Sequence, residues 1–356
     1  TRDILDPLGL GRERLRFGTF LPDERDRLLA FLRKFTADIR TLGKTPVSAH
    51  PPEAAAGEPL TEIVRRHDVF ACQDCGKCTS ACPLSLTGKE FSPRALASSI
   101  IAGDTDSPAV KDAIASCLTC GMCDERCPSA VRFSEFVRDL RIYLDYGGES
   151  GSAQAHAGFF QTLQRTLAAP QLVPRRWDWL PPDIAVDQNS TMLYWGGCAM
   201  FFDFFFRHFL KVQTRDILAD SLRLLNFFDM RPALLPDERC CGHDLLWSGD
   251  RDNFLRLARL NVEAFRARGI RQVVTSCPEC YWTLKRDYPA FGIETGVQVT
   301  HLYELLDGEI SKGKVVFKKL GRAMTFQDSC RLSRFEGRPD LPRRLVERLQ
   351  QDAFVE

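Results

Sequence analysis

The amino-acid sequence predicts a multidomain protein of the α and α/β classes, in which an all-helical domain precedes an α/β domain with a mostly parallel sheet. Its 356 residues are enough for two or three domains. Residues 61–150 combine helical periodicity with eight cysteines and show no strand pattern. From residue 191 onward, short apolar runs alternate with helical patterns, which is typical of a parallel sheet covered by helices.

Composition and charge exclude two classes of protein. The 48 basic and 47 acidic residues give a net charge of +1, so the sequence lacks the basic surface of a nucleic-acid-binding protein. The most apolar window, residues 192–210, is interrupted by Asp203, Arg207 and His208, which argues against a membrane span. Because the chain begins at Thr1 and stops within a helical pattern, we expect a piece of a longer protein.

The first half of the chain divides into three predicted parts. Residues 1–60 hold an amphipathic helix over Pro22–Leu42, followed by a proline-rich linker. In the helical domain, residues 61–150, two Ser-Pro pairs predict helix starts at Ser92 and Ser107, and a further helix runs from about Ser134 to Tyr146. Residues 151–190 contain four prolines and no sustained period, which predicts a connector.

The second half is predicted to hold one complete α/β module, residues 191–325, and the start of a truncated second one, residues 326–356. Its helical patterns include 215–225, 252–268 and 302–306. The candidate strands are Met192–Trp195, Ala233–Leu235, Gln272–Thr275, Val297–Thr300, Val315–Phe317 and Met324–Gln327.

The cysteines of the helical domain form one motif twice. Each copy reads C-x-x-C-x-x-C-x-x-x-C-P, and the second follows the first by 45 residues. This spacing is typical of a pair of cubane [4Fe–4S] clusters, in which the fourth cysteine of each run ligates the other cluster. Structural zinc is the alternative, although zinc modules usually separate two C-x-x-C pairs by a long loop. We assign one cluster to Cys72, Cys75, Cys78 and Cys127, and the other to Cys117, Cys120, Cys123 and Cys82.

Five further cysteines follow predicted strands in the α/β module. Ligands of open parallel sheets bind at the carboxyl ends of the strands, so these thiols are expected to meet at one edge. Five thiolates exceed the four that zinc or a cubane requires, which suggests an iron–sulfur centre that is not a plain cubane. Zinc held by four of them, with one cysteine buried and inert, is the alternative. The five are Cys198, Cys240, Cys241, Cys277 and Cys280.

Three neighbours of these cysteines are candidates for a role. His243 could donate a proton to a departing sulfur, or could serve as a hydrogen-bonded residue at a helix start. Glu279 could tune the centre or stabilise a helix N-terminus. The phenylalanines at positions 201–209 could form helix core or a groove wall. Cys330 opens the truncated module, and the sequence leaves open whether it ligates a metal.

Residues 68–356 resemble the heterodisulfide reductase family. The sequence C-G-K-C-T-S-A-C-P with G-K-E-F-S-P-R-A-L after it is similar to the C-type subunit, which carries a ferredoxin domain. The pattern Cys198…Cys240-Cys241-Gly242…Cys277-x-x-Cys280 is similar to the CCG domain of the B-type subunit. The joined arrangement resembles the fused D-type subunit and related subunits of membrane complexes. One complete CCG module is present, which departs from a two-module site.

The resemblance implies an oxidoreductase subunit with two cubane clusters and a noncubane [4Fe–4S] cluster on the five cysteines. It implies a flavoprotein or a membrane cytochrome b subunit as partner, a disulfide or thiol substrate, and a cytoplasmic location, peripheral on the membrane through that partner. Two alternatives stay open: a relay subunit of a glycolate, lactate or glycerol-3-phosphate dehydrogenase, and a scaffold with a zinc-bound CCG domain.

Overall fold

A computed structural model describes residues 2–21, 23–45, 47, 58–146, 154–313, 315, 317 and 324–350. Within these residues the chain is mainly helical, with one small parallel sheet. The helices of the first half are α1 Arg25–Leu42, α2 Leu60–Arg66, α3 Lys77–Ala81, α4 Pro83–Leu86, α5 Pro93–Ile101, α6 Pro108–Ser116, α7 Met122–Arg126, α8 Phe133–Tyr143 and α9 Phe159–Leu167. Those of the second half are α10 Ala199–Leu210, α11 Thr214–Phe227, α12 His243–Ser248, α13 Arg251–Ala267, α14 Pro278–Trp282, α15 Tyr288–Ala290, α16 Leu302–Ser311 and α17 Asp340–Gln350.

The duplicated motif of the helical domain gives a duplicated backbone. The residue after the second cysteine of each motif is a left-handed glycine, Gly76 at φ 77° and Gly121 at φ 76°, and each begins a five-residue helix. Glycine adopts this conformation without the penalty that a Cβ atom brings. Helices α3 and α7 therefore start in the same way, and they pack against each other.

The predicted capping signals of the helical domain are confirmed. Ser92 accepts a hydrogen bond from the backbone N–H of Ala95, and Ser107 accepts one from Val110, each with proline as the first helical residue. The third predicted helix is α8, which begins one residue before Ser134. A core of apolar side chains from α2, α5, α6 and α8 unites the domain, and the described residues 58–146 contain no strand.

The sheet of the α/β domain has three parallel strands in the order β1-β2-β3: Met192–Trp195, Gln272–Thr275 and Gln298–His301. Leu193 lies beside Val273, which in turn lies beside Val299. All three strands contain β-branched or aromatic residues, which suit a strand packed on both faces. Two apolar clusters cover the sheet, and the larger includes Trp195, Phe265 and Val273.

Several predicted strands need correction. The third strand lies one residue later than Val297–Thr300, because His301 still pairs with Thr275 before α16 begins. The segment predicted as Ala233–Leu235 is reduced to a single parallel bridge between Ala233 and Leu193. No regular strand forms over Met324–Gln327. The predicted strand Val315–Phe317 falls partly outside the described residues.

The stretch predicted as a connector contains helix α9, which the sequence pattern did not predict. Its side chains Phe160, Leu163 and Leu167 recur at helical spacing and are buried in the larger core of the α/β domain. Trp177, in the same stretch, stacks with Trp179 and packs on the second core cluster.

The N-terminal residues also belong to the α/β domain. Ile4 and Leu8 are buried in the same core as α9, and the carbonyl of Pro7 accepts a hydrogen bond from the backbone N–H of Arg175 at 2.9 Å. The predicted amphipathic helix is present as α1, three residues shorter at its start than Pro22–Leu42. No residue of α1 is fully buried.

Candidate iron–sulfur site

One cavity of the helical domain is lined by four cysteines from both copies of the motif. Apolar side chains that include Phe91 and Phe133 form most of the rest of its wall. Three of the cysteines come from the second copy and the fourth from the first copy, as crossed ligation requires. The four are Cys82, Cys117, Cys120 and Cys123.

The other predicted set lies nearer the surface. The Cys72 and Cys78 thiols interact electrostatically, and both pack with Cys127 against the core of the helical domain. Cys75 is exposed. The backbone N–H of Val131 donates to the Cys127 sulfur at 3.4 Å. Such donors stabilise a thiolate ligand and tune the potential of a bound cluster.

The thiols of both four-cysteine sets in the helical domain are suitable ligands for an iron–sulfur cluster. All fourteen cysteines are free thiols. Burial raises the pKa of Cys117 to about 11, and burial also raises the pKa of Cys123 well above its ordinary value. These thiols therefore keep their protons at neutral pH until a metal replaces them, so that cluster binding releases protons.

The five cysteines of the α/β domain come together at the carboxyl edge of the sheet. Cys198 follows β1 and precedes α10, Cys240 and Cys241 precede α12, and Cys277 caps α14 after β2. The sulfurs of Cys198 and Cys240 are 3.3 Å apart, and those of Cys241 and Cys280 are 3.4 Å apart. The sequence prediction that these thiols converge agrees with this geometry.

A glycine makes the close approach of these segments possible. A Cβ atom on Gly197 would lie 2.7 Å from the Cys280 sulfur, which is less than any normal contact, and its φ of +62° disfavours other residues. Gly197 therefore lets the loop after β1 pass directly against the cysteines of α14.

Polar side chains hold the Cys240-Cys241 backbone in place. The Asn261 amide donates to the Cys240 carbonyl at 2.8 Å and to the Tyr288 hydroxyl at 2.9 Å. The Tyr288 hydroxyl in turn donates to the Cys241 carbonyl at 3.0 Å. All of these groups are buried, so each hydrogen bond satisfies an atom that water cannot reach.

A buried ion pair supports the loop that leads to Cys198. Glu238 accepts hydrogen bonds from the backbone N–H groups of Gly196 at 3.2 Å and Gly197 at 2.8 Å, and it lies 3.3 Å from the Arg176 guanidinium. Arg176 also donates to the Gly197 carbonyl and lies over the Phe201 ring. Burial raises the pKa of Glu238 to about 7 despite the nearby arginine. The guanidinium thus places a positive charge near the Cys198 thiol.

Hydrogen bonds link the thiols of this group. The pKa of Cys241 is lowered by hydrogen bonds from Cys240 and Cys280, whereas the hydrogen bond to Cys241 raises that of Cys280 well above its ordinary value. Crowded sulfurs of this kind are suited to an electron-poor partner such as iron. In the described part of the chain, no three His, Cys, Asp or Glu side chains are arranged around a point that a single metal ion could occupy.

His243 lies at the first position of α12, where it is buried between two side chains. Its Nδ1 is 3.0 Å from the Thr283 hydroxyl, and its Nε2 accepts from Arg331 Nε at 3.3 Å. Burial, followed by the charge of Arg331, lowers the pKa of His243 well below its ordinary value. A neutral imidazole whose Nε2 is already an acceptor favours the structural role over the proton donor that the sequence also suggested.

Glu279 and the phenylalanines after Cys198 differ in whether they contact a cysteine. The Glu279 carboxylate accepts from the Cys277 sulfur at 3.4 Å. Phe201 is buried in the core, while Phe202 and Phe205 form an aromatic cluster with Phe160 of α9. Within the described residues, core packing is thus the main role of this aromatic segment.

Cys330 lies beside the cysteine cavity of the helical domain. The Arg334 guanidinium donates both to the Cys330 sulfur at 3.3 Å and to the Cys120 carbonyl at 3.2 Å. No local pattern in the sequence signals this contact or the roles of Arg176, Asn261 and Tyr288, because their partners are remote in the chain.

The part of the chain that the structure describes contains no helix long and apolar enough to cross a membrane.

Two family models match the chain. A 4Fe-4S dicluster domain covers residues 56–131, and a cysteine-rich domain of the CCG type covers residues 192–285. No solved structure gives a significant match.

Several curated proteins are similar to the chain. The D subunit of the dihydromethanophenazine:CoB–CoM heterodisulfide reductase of Methanosarcina acetivorans is 31% identical over 207 residues, which are 56% of this chain and 48% of that protein. The EtfAB:quinone oxidoreductase of Syntrophomonas wolfei is 31% identical over 47% of this chain and 22% of its own length. A probable iron-sulfur-binding oxidoreductase of Bacillus subtilis is 24% identical over 81% of this chain and 48% of its own.

These matches confirm the resemblance to heterodisulfide reductase that the sequence predicted. They also confirm the predicted fold class, a helical 4Fe-4S domain followed by an α/β domain. The chain spans about half the length of the heterodisulfide reductase D subunit that it matches. It is an iron–sulfur protein related to oxidoreductase subunits.

Proposed function

We propose that this heterodisulfide reductase-like chain is a redox subunit of a larger complex, in which electrons pass through two cubane [4Fe–4S] clusters to a noncubane [4Fe–4S] centre on the five cysteines. At that centre a disulfide or a similar acceptor would be reduced. The observation that carries the proposal is the meeting of sulfurs from three distant segments at the carboxyl edge of the sheet. Bound clusters would supply one-electron carriers and iron that can hold a sulfur atom.

The cavity with its four cysteines supports the crossed assignment of the second cubane to Cys82, Cys117, Cys120 and Cys123. Its apolar wall would exclude water from that cluster, and the N–H of Thr119 donates to the Cys117 sulfur at 3.4 Å. The first cubane would be held by the remaining four cysteines of the helical domain. We assign these from the duplicated spacing, which the duplicated backbone supports: Cys72, Cys75, Cys78 and Cys127.

Three side chains around the five cysteines, Asn261, Tyr288 and Arg176, would support the bound cluster. Asn261 and Tyr288 fix the backbone of the adjacent cysteine pair, so that both sulfurs face the other segments. Arg176 would offset part of the negative charge of five thiolates and a bound cluster, which favours the reduced state.

Exposure indicates where a substrate would approach. Cys240, Cys241 and Cys280 are buried, whereas Cys198 and Cys277 are only half-buried. A disulfide would therefore reach the centre on the side of Cys198 and Cys277. The exposed Cys75 marks the opposite end of the path, where a flavoprotein or a cytochrome b subunit would deliver electrons. We place the chain on the cytoplasmic side, attached to a membrane through such a partner.

A relay subunit without a substrate of its own is the second candidate function. The burial of three of the five sulfurs favours it, because a relay centre needs no access for a disulfide. The similarity of the chain to the EtfAB:quinone oxidoreductase also favours a role in which electrons pass between two partners.

Metal analysis after anaerobic reconstitution tests the proposal first. We expect about twelve irons per chain, whereas a zinc-bound α/β domain would give about eight irons and one zinc. Cys280→Ser is expected to lower the iron content by about four, while the matched control Cys330→Ser, outside the thirteen assigned ligands, should retain all twelve. Equal iron loss in both variants would contradict the ligand assignment.

Electron paramagnetic resonance then separates the two functions. A signal that appears on oxidation and changes when a thiol is added supports disulfide chemistry at the five cysteines. A signal that does not respond to any thiol supports the relay, and a protein that binds no iron after full reconstitution would refute both.

A further inference from the structure

A short segment fills the space between the two cysteine sites. Residues Arg331–Phe335 form a π-helical turn, an irregular conformation that is often found at functional sites. The Arg331 side chain extends from it and is 4% exposed. Its guanidinium donates to the Thr119 carbonyl at 3.1 Å, to the Thr119 hydroxyl at 3.3 Å and to His243 Nε2 at 3.3 Å.

Each partner of Arg331 is joined directly to one of the two sites. Thr119 lies between Cys117 and Cys120, and its backbone N–H contacts the Cys117 sulfur. His243 is separated from Cys241 by a single glycine. One guanidinium group therefore connects the loop of the second cubane site with the loop of the five-cysteine site through hydrogen bonds to both.

The surroundings hold this guanidinium in a fixed position. Its carbon lies 3.6 Å from the centre of the Trp247 ring and 4.2 Å from that of Phe335. Such cation–π contacts stabilise a buried arginine. Phe335 also fills the space beside Gly121, where a Cβ atom would lie 2.8 Å from its ring.

A second set of hydrogen bonds fixes the histidine. Arg331 Nε can only donate, so His243 Nε2 is an acceptor and Nδ1 carries the ring proton towards Thr283. The Thr283 hydroxyl donates to Asp287, which also accepts from the indole of Trp247 at 3.1 Å. Thr283 and Asp287 are the first and last residues of a second π-helical turn. Both π-helical turns of the described residues therefore contribute side chains to this network.

Another arginine joins the loop of the second cubane site to α12. Arg141 of α8 donates to the Cys117 carbonyl at 2.6 Å and to the Trp247 carbonyl at 2.7 Å. Arg141 and Arg331 therefore both contact the loop of the second cubane site. Arg141 bonds to backbone atoms on both sides, whereas Arg331 reaches the side chain of His243.

We propose that Arg331 is the positioning residue for electron transfer between the second cubane site and the five-cysteine site. This inference rests on the proposed function. The guanidinium closes a path of covalent and hydrogen bonds that runs from Cys117 through Thr119 and His243 to Cys241. Each transfer moves one electron, which oxidises the second cubane site and reduces the five-cysteine site by one electron. No proton is required of His243.

The test compares Arg331→Leu with Arg338→Leu in anaerobically reconstituted full chain. Arg338 lies shortly after this segment but pairs with Glu304 and Asp340 at the surface, so it controls for the loss of an arginine in this part of the chain. Oxidised protein is mixed with reduced methyl viologen, and freeze-quenched samples are examined by electron paramagnetic resonance. Arg331→Leu should slow reduction of the five-cysteine centre about tenfold or more, equivalent to a barrier about 1.4 kcal/mol higher.

Four further results decide the inference. If Arg331→Leu keeps an iron content near that of wild type and its cubanes are reduced at the wild-type rate, the slower transfer is not caused by a loss of structure. If Arg331→Leu binds less iron, Arg331→Lys and Thr119→Val serve in its place, since each retains one part of the path, and both should transfer more slowly than the control. Equal rates in the control and in every variant that binds full iron would refute the inference. A wild-type chain without a signal from the five cysteines would instead refute the proposed function.

Discussion

Replacing Gly197 by alanine tests whether the close approach of β1 and α14 is what assembles the five-cysteine site. The new Cβ atom would lie 2.7 Å from the Cys280 sulfur. Gly292→Ala is the matched control, because Gly292 has a similar positive φ of 77° but no atom within 4 Å of the position that a Cβ would take. In both variants the left-handed backbone costs about 1–2 kcal/mol.

The two variants differ in whether the new Cβ atom contacts the Cys280 sulfur. Gly197→Ala must also displace the sulfur, an overpacking cost of about 1–3 kcal/mol, so its total loss should be about 2–5 kcal/mol. Urea unfolding of the metal-free chain measures this difference as a shift of the midpoint. Metal analysis should show iron loss in Gly197→Ala alone. Equal stability and equal iron content in the two variants would refute the steric reasoning.

Two further predictions concern buried polar groups. Asn261→Leu should lower the free energy of unfolding by about 1–3 kcal/mol, because the Cys240 carbonyl loses its buried donor. Tyr288→Phe should cost a similar amount, because the Cys241 carbonyl loses its own buried donor, and urea unfolding that shows no loss in either variant would contradict this reasoning. Asp139 is buried, which opposes ionisation, but its hydrogen bond with His67 and the charge of Arg138 lower its pKa overall. The stability it contributes is thus present above the unfolded pKa of 3.8 and is lost as pH falls below that value. Asp139→Asn should cost about 3–5 kcal/mol at pH 7 and flatten the acid unfolding curve, whereas Asp112→Asn, in a surface pair with Lys89, should cost about 1 kcal/mol or less. A wild-type pH dependence in Asp139→Asn would contradict this assignment.

Local signals in the sequence predicted much of the fold. The Ser-Pro starts of α5 and α6 depend on neighbouring residues alone, and so does the repeated cysteine spacing. The strands before Cys198 and Cys277 were also predictable, because buried parallel strands are short runs of apolar residues. The convergence of the five thiols followed from the rule that ligands meet at the carboxyl ends of such strands.

The sequence could not predict what depends on distant contacts. Arg331 and Thr119 are 212 positions apart, and neither belongs to a local pattern that indicates a partner. Helix α9 was missed because its nine residues give too short a period to stand out. The single bridge at Ala233 reflects pairing geometry, which residue preferences do not determine.

The burial of Ile4 and Leu8 with α9 makes the α/β domain discontinuous in sequence. The helical domain is inserted between two stretches that share a single core. During synthesis, the first stretch must therefore wait for its packing partners until α9, and then the strands that follow it, have left the ribosome. A fragment that starts at residue 191 would expose the apolar side chains that these stretches cover, and would tend to aggregate. Expression of the α/β half by itself thus calls for grafting residues 2–10 and 159–172 onto it.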